Sequence, residues 1–377
     1  MGDAQPAAQP DALQSASPPS ARRLAATLGR TAKPSRMLSR RQLLLRAPGV
    51  LAATPSRSSA AAEAGCDLAV ARVLQGQVVE PPEEGNCPAD QGSVPVFQAA
   101  SLAKPVVATL VLKLVLRGQL SLDQPISELL PDGYAHRQNL FALRESPAVD
   151  VVPAEILKKV TIRHLLSHTS GLPNWSDRAP LRPETEPGTH WRYSGEGYVL
   201  LQHILRARTG SPLNELASSE VFVPLGLRHS AFKLTDNIAP SLVPGRSSSG
   251  QIRQLRFPYE VGASSLYTSA PDYARFMAAT LRDQPLLRLI THAPVPVPEA
   301  AGVLWGLGWG IEQSNGSHSI WHWGNNPGFR SLAMADLKSK EAVVVLTATE
   351  SGMPQAKTIV QRFLPGAHPG LGLNLVQ

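Results

Sequence analysis

Cysteine, aromatic residues and long apolar runs are all scarce in this sequence. Two cysteines, Cys66 and Cys87, occur among 377 residues, which excludes a disulfide-dense scaffold and a multi-cysteine metal site. Aromatic residues make up 5% of the chain, and none of them lies within residues 1–65. The longest apolar run, residues 105–116, is interrupted by Lys113 and is too short to span a bilayer. We therefore expect no transmembrane span.

Positive charge is concentrated in the first part of the chain. The formal net charge is +7, but residues 1–65 contain nine Lys or Arg against three acidic residues. The remaining residues hold 27 basic and 26 acidic side chains, so that part of the chain is close to neutral. Binding to nucleic acid requires a concentrated basic surface, and we therefore expect no nucleic-acid partner.

Residues 1–65 are predicted to be a disordered or targeting segment. They are rich in Ala, Ser, Pro and Arg and cannot bury enough apolar area to offset the entropy of ordering. Residues 39–44 (SRRQLL) resemble a bacterial twin-arginine export signal, which favours the bacterial periplasm. An organelle transit peptide and a cytoplasmic tail are the alternatives. Export would permit a disulfide between Cys66 and Cys87, and two unpaired thiols are the alternative.

Hydrophobic periodicity predicts strands near both ends of the body and helices between them. The predicted strands cover residues 69–74, 78–79, 308–311, 331–334 and 341–347. The predicted helices cover residues 101–117, 161–167, 198–208, 272–281 and 358–363. This order indicates a mixed α/β layer built from both ends of the chain, with a helical insert. We assign residues 66–118 and 255–377 to an α/β domain and residues 119–254 to a mainly helical domain.

Ser101 and Lys104 form an S-x-x-K motif at the predicted start of a helix, which Pro105 places at or just before Ser101. A spacing of three puts both side chains on one face of one turn. A serine hydroxyl needs a base beside it, and lysine is a base only when neutral. Lowering a lysine pKa from about 10.4 toward 7 requires roughly 4–5 kcal/mol from burial and nearby positive potential. Alone, the motif is equally typical of a capping serine followed by a solvated lysine.

Three further blocks follow the S-x-x-K motif: residues 164–172 (HLLSHTSGL), 191–198 (WRYSGEGY) and 322–329 (HWGNNPGF). In this order, the four blocks resemble the serine β-lactamase and penicillin-binding-protein superfamily, specifically its class C-like branch of esterases and peptidases. The resemblance covers roughly residues 68–364. It implies an α/β fold in which an antiparallel sheet is flanked by helices and carries a mainly helical inserted domain.

The resemblance assigns catalytic roles to three side chains. Ser101 is implied to be the acylated nucleophile, and Lys104 is implied to be its base partner. Tyr193 occupies the position of the family's Tyr-x-Asn motif, which implies a second base that moves protons to the leaving group and from water. A lysine ammonium near Tyr193 would also stabilise a phenolate. Paired bases predict that activity rises from neutral to mildly alkaline pH.

The last block is implied to line the substrate cleft. His322 and Gly324 occupy the first and last positions of the family's Lys-Thr-Gly motif. The backbone N–H groups of Ser101 and Asn325 are implied to form the oxyanion hole. The block at residues 164–172 is expected to have a structural role near the cleft.

Two departures from the family pattern affect the expected substrate. His322 replaces a lysine that holds a substrate carboxylate in β-lactamases and carboxypeptidases, and it is mostly neutral at pH 7. Gly195 replaces the asparagine of the Tyr-x-Asn motif, so a side-chain amide is missing and we expect a looser site. Arg330 is a possible alternative cation that nothing in the sequence places. These departures favour a neutral ester or amide over an anionic substrate.

The sequence thus predicts a serine hydrolase that forms an acyl-enzyme, acting on a carboxylic ester more readily than on a β-lactam or a D-amino-acid peptide. The alternative is a weak or inactive member that binds cell-wall peptide or a protein partner. We expect no cofactor and no metal, because Leu165 replaces the glutamate of a zinc helix between His164 and His168. Four tryptophans near the cleft strands either line an acyl pocket or belong to the core: Trp305, Trp309, Trp321 and Trp323. The oligomeric state stays open.

Overall fold

The computed structural model describes residues 65–79, 85–87, 94–138, 140, 149–176, 181–298, 300–314 and 317–376. All of them fall within the contact unit Pro55–Gln377. The predicted disordered or targeting segment, except for Gly65, lies outside the described residues, and so does the export signal proposed within it.

The described part of the chain contains twelve strands. They are β1 (Leu68–Leu74), β2 (Gln77–Val78), β3 (Phe97–Ala100), β4 (Tyr134–Arg137), β5 (Val149–Val152), β6 (Leu266–Thr268), β7 (Val295–Pro296), β8 (Val303–Trp305), β9 (Gly310–Ser314), β10 (Ser317–Asn326), β11 (Phe329–Asp336) and β12 (Glu341–Thr347). The same residues form eight α-helices. They are α1 (Ala103–Leu116), α2 (Ile126–Leu129), α3 (Ile162–Leu166), α4 (Gly195–Thr209), α5 (Leu213–Ala217), α6 (Ala270–Arg282), α7 (Gln284–Thr291) and α8 (Met353–Phe363).

Within the described residues, eight strands form one antiparallel sheet in the order β2-β1-β12-β11-β10-β9-β8-β7. Strands from both ends of the chain therefore meet near one edge of this sheet, where β1 pairs with β12. Residues of β12 alternate between two cores: Val344 packs on the side of α1 and α6, whereas Val343 and Val345 pack on the side of α8. Burial of both faces explains the nearly continuous apolar sequence of this strand.

Two small antiparallel pairs were not predicted. Strand β3 pairs with β6, which brings the segment before Ser101 next to residues from the second half of the chain. Strand β4 pairs with β5 within the region assigned to the helical domain. Each of these strands has three or four residues, too few for a clear alternating pattern in the sequence. The domain boundaries themselves stay a prediction.

Helix α1 begins at Ala103, two residues later than the sequence predicted. Strand β3 ends at Ala100, whose φ of +51° turns the chain sharply, and Ser101 lies in the turn that follows. The Lys104 amide donates a hydrogen bond of 3.0 Å to the Ser101 carbonyl, which closes this turn. Ser101 is therefore held on a strained connection between a strand and a helix.

Cys66 and Cys87 form a disulfide, which decides between the two alternatives left open by the sequence. The bond ties the segment before β1 to residues 85–87, whose Gly85 also bridges to Ala69. No helix in the described ranges is long and apolar enough to cross a membrane.

Candidate active site

The Ser101 and Lys104 side chains meet at the N-terminal end of α1. The Lys104 Nζ lies 3.0 Å from the Ser101 Oγ and donates a 2.8 Å hydrogen bond to the carbonyl of Ala263. Ser101 is partly exposed to the cleft, whereas Lys104 is completely buried beneath it. The amine is thus positioned to exchange a proton with the serine hydroxyl while remaining out of water.

Burial lowers the pKa of Lys104 well below its ordinary value. Removing an ammonium from water is costly, and two uncharged oxygen neighbours do not compensate for lost hydration as a carboxylate would. Burial therefore favours the neutral amine, whose lone pair is available to accept the Ser101 proton. This geometry supplies the condition that the S-x-x-K motif requires.

Tyr193 lies directly before α4, and its ring centroid is 4.8 Å from the Lys104 Nζ. Burial raises the pKa of Tyr193, and an interaction with the Ser101 hydroxyl opposes the rise. The Tyr193 hydroxyl oxygen is buried, and no described residue lies in hydrogen-bonding geometry with it. The expected phenolate is therefore disfavoured in the resting site, where a neutral phenol faces Ser101 and a neutral amine.

His168 fixes the position of Tyr193 from below. It is completely buried, and its ring centroid lies 4.4 Å from that of Tyr193. The Ser194 amide donates a 3.1 Å hydrogen bond to His168 Nδ1, so this nitrogen carries no proton. Burial lowers the pKa of His168 well below its ordinary value, and the nearby Lys104 contributes a smaller lowering. The block at residues 164–172 thus contributes a neutral packing and hydrogen-bonding partner to the site.

The structure places His322 behind the cleft rather than at its surface. Its side chain is completely buried, with its ring centroid 6.2 Å from that of Tyr193. The Nδ1 donates a 2.8 Å hydrogen bond to the Trp323 carbonyl. Burial, with a smaller contribution from Lys104, lowers the pKa of His322 to about 3. His322 is therefore neutral, and the described residues that line the cleft do not include it.

Gly324 and Asn325 lie on β10 beside Ser101. A side chain at Gly324 would collide with the Ser331 hydroxyl and the Ala99 carbonyl, so glycine is required for β10 to approach β3. Asn325 is exposed and lines the cleft together with Ser101. The two backbone segments implied to form the oxyanion hole thus border the same cleft, while their catalytic role stays a prediction.

The cleft above Ser101 has a volume of about 620 Å³. Its lining consists of Ser101, Asn174, Trp175, Tyr193, Leu255, Ser264, Trp323, Asn325, Asn326, Pro327, Asn374 and Leu375. None of these described lining residues carries a charge at neutral pH. Sequence reasoning identified four of them: Ser101, Tyr193, Trp323 and Asn325. Asn326 and Pro327 belong to the block at residues 322–329, although no role was assigned to them. The remaining six lie outside the four sequence blocks, and only the fold brings them to the cleft.

Trp175 occupies the space next to Gly195. A Cβ at Gly195 would lie 2.7 Å from both the Asn174 carbonyl oxygen and the Trp175 ring. The Gly195 amide donates hydrogen bonds of 3.0 Å to the carbonyl and the side-chain oxygens of Asn174. The expectation of a loose site at this position is therefore wrong, because a tightly packed loop fills the space that a larger residue would need.

Three of the four cleft-strand tryptophans are core residues. Trp305, Trp309 and Trp321 are completely buried. Trp323 lines the cleft and packs against Tyr193, with the two ring centroids 4.9 Å apart. Arg330 does not line the cleft either, and its Nη1 donates hydrogen bonds to the carbonyls of Asn326 and Phe329. The alternative cation suggested by the sequence is therefore held by the backbone.

No group of three or more His, Cys, Asp or Glu in the described ranges has an arrangement suited to a metal ion. The Thr161 amide donates a 3.3 Å hydrogen bond to the Nδ1 of His164, while His168 packs under Tyr193. His164 thus stabilises the start of α3, and His168 packs against Tyr193.

A family model described as Beta-lactamase matches residues 76–363, about three quarters of the chain. The chain belongs to this family. The resemblance drawn from the four sequence blocks is therefore confirmed. The match extends from the turn between β1 and β2 to the end of α8 and includes Ser101, Lys104 and Tyr193.

Curated relatives in the family include proteins named as an esterase and as penicillin-binding proteins. Esterase EstB of Burkholderia gladioli is 30% identical over 272 residues, which are 57% of this chain and 65% of that protein. Penicillin-binding protein 4 of Amycolatopsis lactamdurans is 34% identical over 151 residues, which are 36% of this chain and 35% of that protein. The matched region thus covers less than two thirds of the length of either relative.

Solved structures confirm the predicted fold. A D-stereospecific amidohydrolase from Streptomyces sp. superposes with a TM-score of 0.59 at 20% identity, covering 82% of this chain and 97% of that one. A β-lactamase/D-alanine carboxypeptidase from Pseudomonas syringae has a TM-score of 0.62 at 19% identity, covering 80% and 94%. At such identities the likeness concerns the fold alone.

A buried cluster of charged side chains packs behind the chain segment that contains Tyr193. His136 lies between two carboxylates, with its Nδ1 2.9 Å from Asp150 Oδ1 and its Nε2 3.3 Å from Glu196 Oε2. The other oxygen of Glu196 accepts a 2.8 Å hydrogen bond from the Ser176 amide. The cluster therefore connects β4 and β5 to the start of α4 and to the loop that carries Trp175.

Replacing His136 with glutamine is expected to destabilise the protein by about 3 kcal/mol at pH 6 and by less at pH 9. Burial disfavours the charged ring, but Glu196 and Asp150 outweigh this effect, so the pKa of His136 is raised. Stability from a raised histidine pKa is fully present below the unfolded value of about 6.5 and is lost as pH rises through the folded value. Denaturant unfolding of both proteins at the two pH values measures the difference.

His203→Gln is the matched control. His203 neighbours the same cluster through Tyr134, but burial lowers the pKa of His203 to about 4, so the ring is neutral at both pH values. Because the unfolded chain still binds a proton below a pH of about 6.5, the substitution should cost less stability at pH 6 than at pH 9, the reverse of His136→Gln. A His136→Gln effect that is independent of pH, or that follows the His203 trend, would contradict a charged His136.

Proposed function

We propose that the protein is a serine hydrolase that forms a covalent acyl-enzyme at Ser101 with neutral carboxylic esters. The observation that carries this proposal is an uncharged cleft, lined by amides, hydroxyls and apolar side chains, above a serine in contact with a neutral lysine. The name of the relative Esterase EstB supports the same substrate class.

In the proposed acylation step, Ser101 loses its hydroxyl proton to the neutral Lys104 Nζ while its Oγ attacks the ester carbonyl carbon. The carbonyl oxygen becomes an oxyanion, which the backbone N–H groups of Ser101 and Asn325 stabilise. Each such donor contributes about 10²–10³ in rate. The bond to the leaving alkoxide then breaks, and the alkoxide takes up a proton from the Lys104 ammonium through the Tyr193 hydroxyl. The products are a free alcohol and an acylated Ser101.

Deacylation follows the same route in reverse. A water molecule donates a proton through Tyr193 to the neutral Lys104 amine as its oxygen attacks the acyl carbon. Collapse of the tetrahedral intermediate breaks the bond to Ser101 Oγ, and this oxygen recovers the proton from Lys104. The raised pKa of Tyr193 supports a relay in which the phenol gives and receives protons in concert rather than resting as a phenolate.

The absence of a cationic side chain among the described lining residues argues against β-lactams and D-Ala-D-Ala peptides. Both substrates carry a carboxylate, which would lose hydration without gaining a charged partner. His322, the counterpart of the family's cationic residue, is buried and neutral. Binding a substrate carboxylate without a charged partner costs roughly 1.5–3 kcal/mol of binding free energy. This cost corresponds to about 10–100-fold in selectivity.

A substrate panel tests the proposal. We expect kcat/KM for p-nitrophenyl butyrate to exceed that for nitrocefin and for a D-Ala-D-Ala peptide by at least about tenfold. A fluorophosphonate probe should label the wild type and not Ser101→Ala. Faster hydrolysis of nitrocefin or of the peptide would contradict the assigned substrate class. Ligand binding without turnover or labelling would favour the alternative, an inactive member that binds cell-wall peptide or a protein.

We further propose that the protein works in an oxidising compartment, such as the bacterial periplasm. The disulfide between Cys66 and Cys87 supports this location, because such bonds persist outside the reducing cytosol. The twin-arginine-like residues 39–44 are consistent with the same route.

A further inference from the structure

Residues 369–376 return to the mouth of the cleft after the last helix. A 3₁₀ turn (Pro369–Gly372) follows α8, and Asn374 and Leu375 then line the cleft together with Ser101. Neither residue belongs to one of the sequence blocks that identify the family. The segment 369–376, called the wall segment below, therefore adds a surface to the cleft that the catalytic motifs do not account for.

Buried polar contacts fix the start of the wall segment. His368 Nδ1 lies 2.9 Å from Glu312 Oε2, and His368 Nε2 lies 2.7 Å from the Leu364 carbonyl oxygen. The Gly370 amide donates a 2.8 Å hydrogen bond to the other oxygen of Glu312. Both ring nitrogens of His368 face acceptors, which suits a protonated imidazole that donates to each. The carboxylate of Glu312 on β9 thus anchors the segment at two points.

Apolar contacts fix the rest of the wall segment. Leu371, Leu373 and Val376 are buried in the same core as Trp321 and Trp323. The backbone of Gly370 packs so closely on the Trp321 ring that a Cβ would collide with it. Because Leu373 and Val376 are buried on either side of it, Leu375 is held in place although its own side chain remains 41% exposed.

Leu375 and Trp175 are two large apolar side chains that are exposed within the cleft, at 41% and 37%. They lie 200 positions apart in the sequence, yet both border the same 620 Å³ volume. An apolar group that covers them gains about 0.8 kcal/mol for each buried methylene. The location beside Ser101 makes the hydrocarbon part of the substrate the natural occupant.

We propose that Leu375, held by the wall segment, is a specificity-determining residue that contacts the acyl chain of the ester together with Trp175. This inference rests on the proposed function and deepens it, because it specifies an apolar acyl group of several carbons. It follows that kcat/KM rises with acyl length from acetate to hexanoate in the wild type.

The test compares this chain-length dependence in three proteins. We expect the hexanoate-to-acetate ratio of kcat/KM for p-nitrophenyl esters to fall at least about tenfold in Leu375→Asp. The matched control is Leu234→Asp, because Leu234 is similarly exposed, at 38%, but does not line the cleft. This control should keep the wild-type ratio. An unchanged ratio in Leu375→Asp would overturn the proposal.

A binding measurement separates this proposal from the proposed function. Trp175 is the most exposed of the six tryptophans, the others being at most 8% exposed, so acrylamide quenching reports mainly on Trp175. Hexan-1-ol should protect the wild type from quenching more strongly than ethanol does, and Leu375→Asp should lose this difference. If the wild type hydrolyses no ester, the proposed function fails. The protection of Trp175 by hexan-1-ol still tests whether Leu375 contacts an apolar ligand in the cleft. Equal protection in wild type and Leu375→Asp would overturn that role.

Discussion

Lys104→Met is expected to lower kcat for ester hydrolysis by about 10²–10⁴, the usual contribution of a positioned base. Methionine matches the length and volume of lysine and suits the buried site, so the loss reflects the amine rather than a cavity. In the wild type, activity should rise as pH increases through the lowered pKa of Lys104, which is well below the ordinary lysine value. Stopped-flow acylation rates between pH 5 and pH 10 measure both effects.

The same substitution has a predictable effect on stability. The folded state keeps Lys104 neutral, while the unfolded chain binds a proton up to a pH of about 10.4. The unfolded state therefore binds more protons between the lowered folded pKa and the unfolded pKa. The wild type should consequently gain stability relative to Lys104→Met by up to about 1.4 kcal/mol per pH unit across this range. Urea unfolding at pH 7 and pH 9 measures this gain.

Lys113→Met is the control for these experiments, because Lys113 lies on the same helix and contacts Glu220 away from the cleft. Its kcat and pH profile should match those of the wild type. If Lys104→Met kept more than a tenth of wild-type kcat, or if the wild-type profile were flat between acid and alkaline pH, Lys104 would not be the base.

Tyr193→Phe is expected to lower kcat by about 10²–10³ without reducing thermal stability. The hydroxyl would be lost from the proton relay, while the ring contacts with His168 and Trp323 would remain. Because the buried hydroxyl oxygen makes no complete hydrogen bond in the described structure, its removal leaves no partner unsatisfied. Steady-state kinetics and a thermal melt on the same preparation separate the two quantities.

Tyr198→Phe is the control, and it should affect stability rather than kcat. The Tyr198 ring also lies near Lys104, at 5.7 Å, but its hydroxyl donates a 3.2 Å hydrogen bond to the Leu166 carbonyl. Its removal should cost about 1 kcal/mol of stability and leave kcat nearly unchanged. A Tyr193→Phe protein that retains full activity would exclude Tyr193 from the relay.

Local sequence signals were sufficient for the longest helices and for strands β1, β11 and β12. The helix predicted at residues 198–208 is observed as Gly195–Thr209, and Gly210 ends it with a φ of +74°. Its true start depends on the Ser194 hydroxyl, which accepts a hydrogen bond from the Gly197 amide, a cap that the apolar spacing does not report. The late start of α1 was missed for a similar reason, because the positive φ of Ala100 leaves no mark in composition.

Motifs predicted the catalytic candidates Ser101 and Lys104, but they did not predict the ionisation states of these side chains. The spacing of Ser101 and Lys104 already predicted a shared helical turn, whereas the neutral state of Lys104 depends on burial by distant segments, including Ala263. The same holds for His322, whose neutral, buried position depends on the packing of the sheet against the Tyr193 ring. Desolvation is a property of the surroundings, so it appears only when the chain is folded.

The order of elements, the family and the nucleophile–base pair follow from residues that are close together in sequence, where helical and strand periods and fixed spacings operate. The cleft required the tertiary structure, because Trp175, Leu255 and Leu375 come from irregular segments separated by up to 200 positions. Side chains so far apart meet only when the sheet and helices have closed around them, and no local pattern encodes that meeting. The proposed ester preference and acyl selectivity therefore depend on the assembled fold.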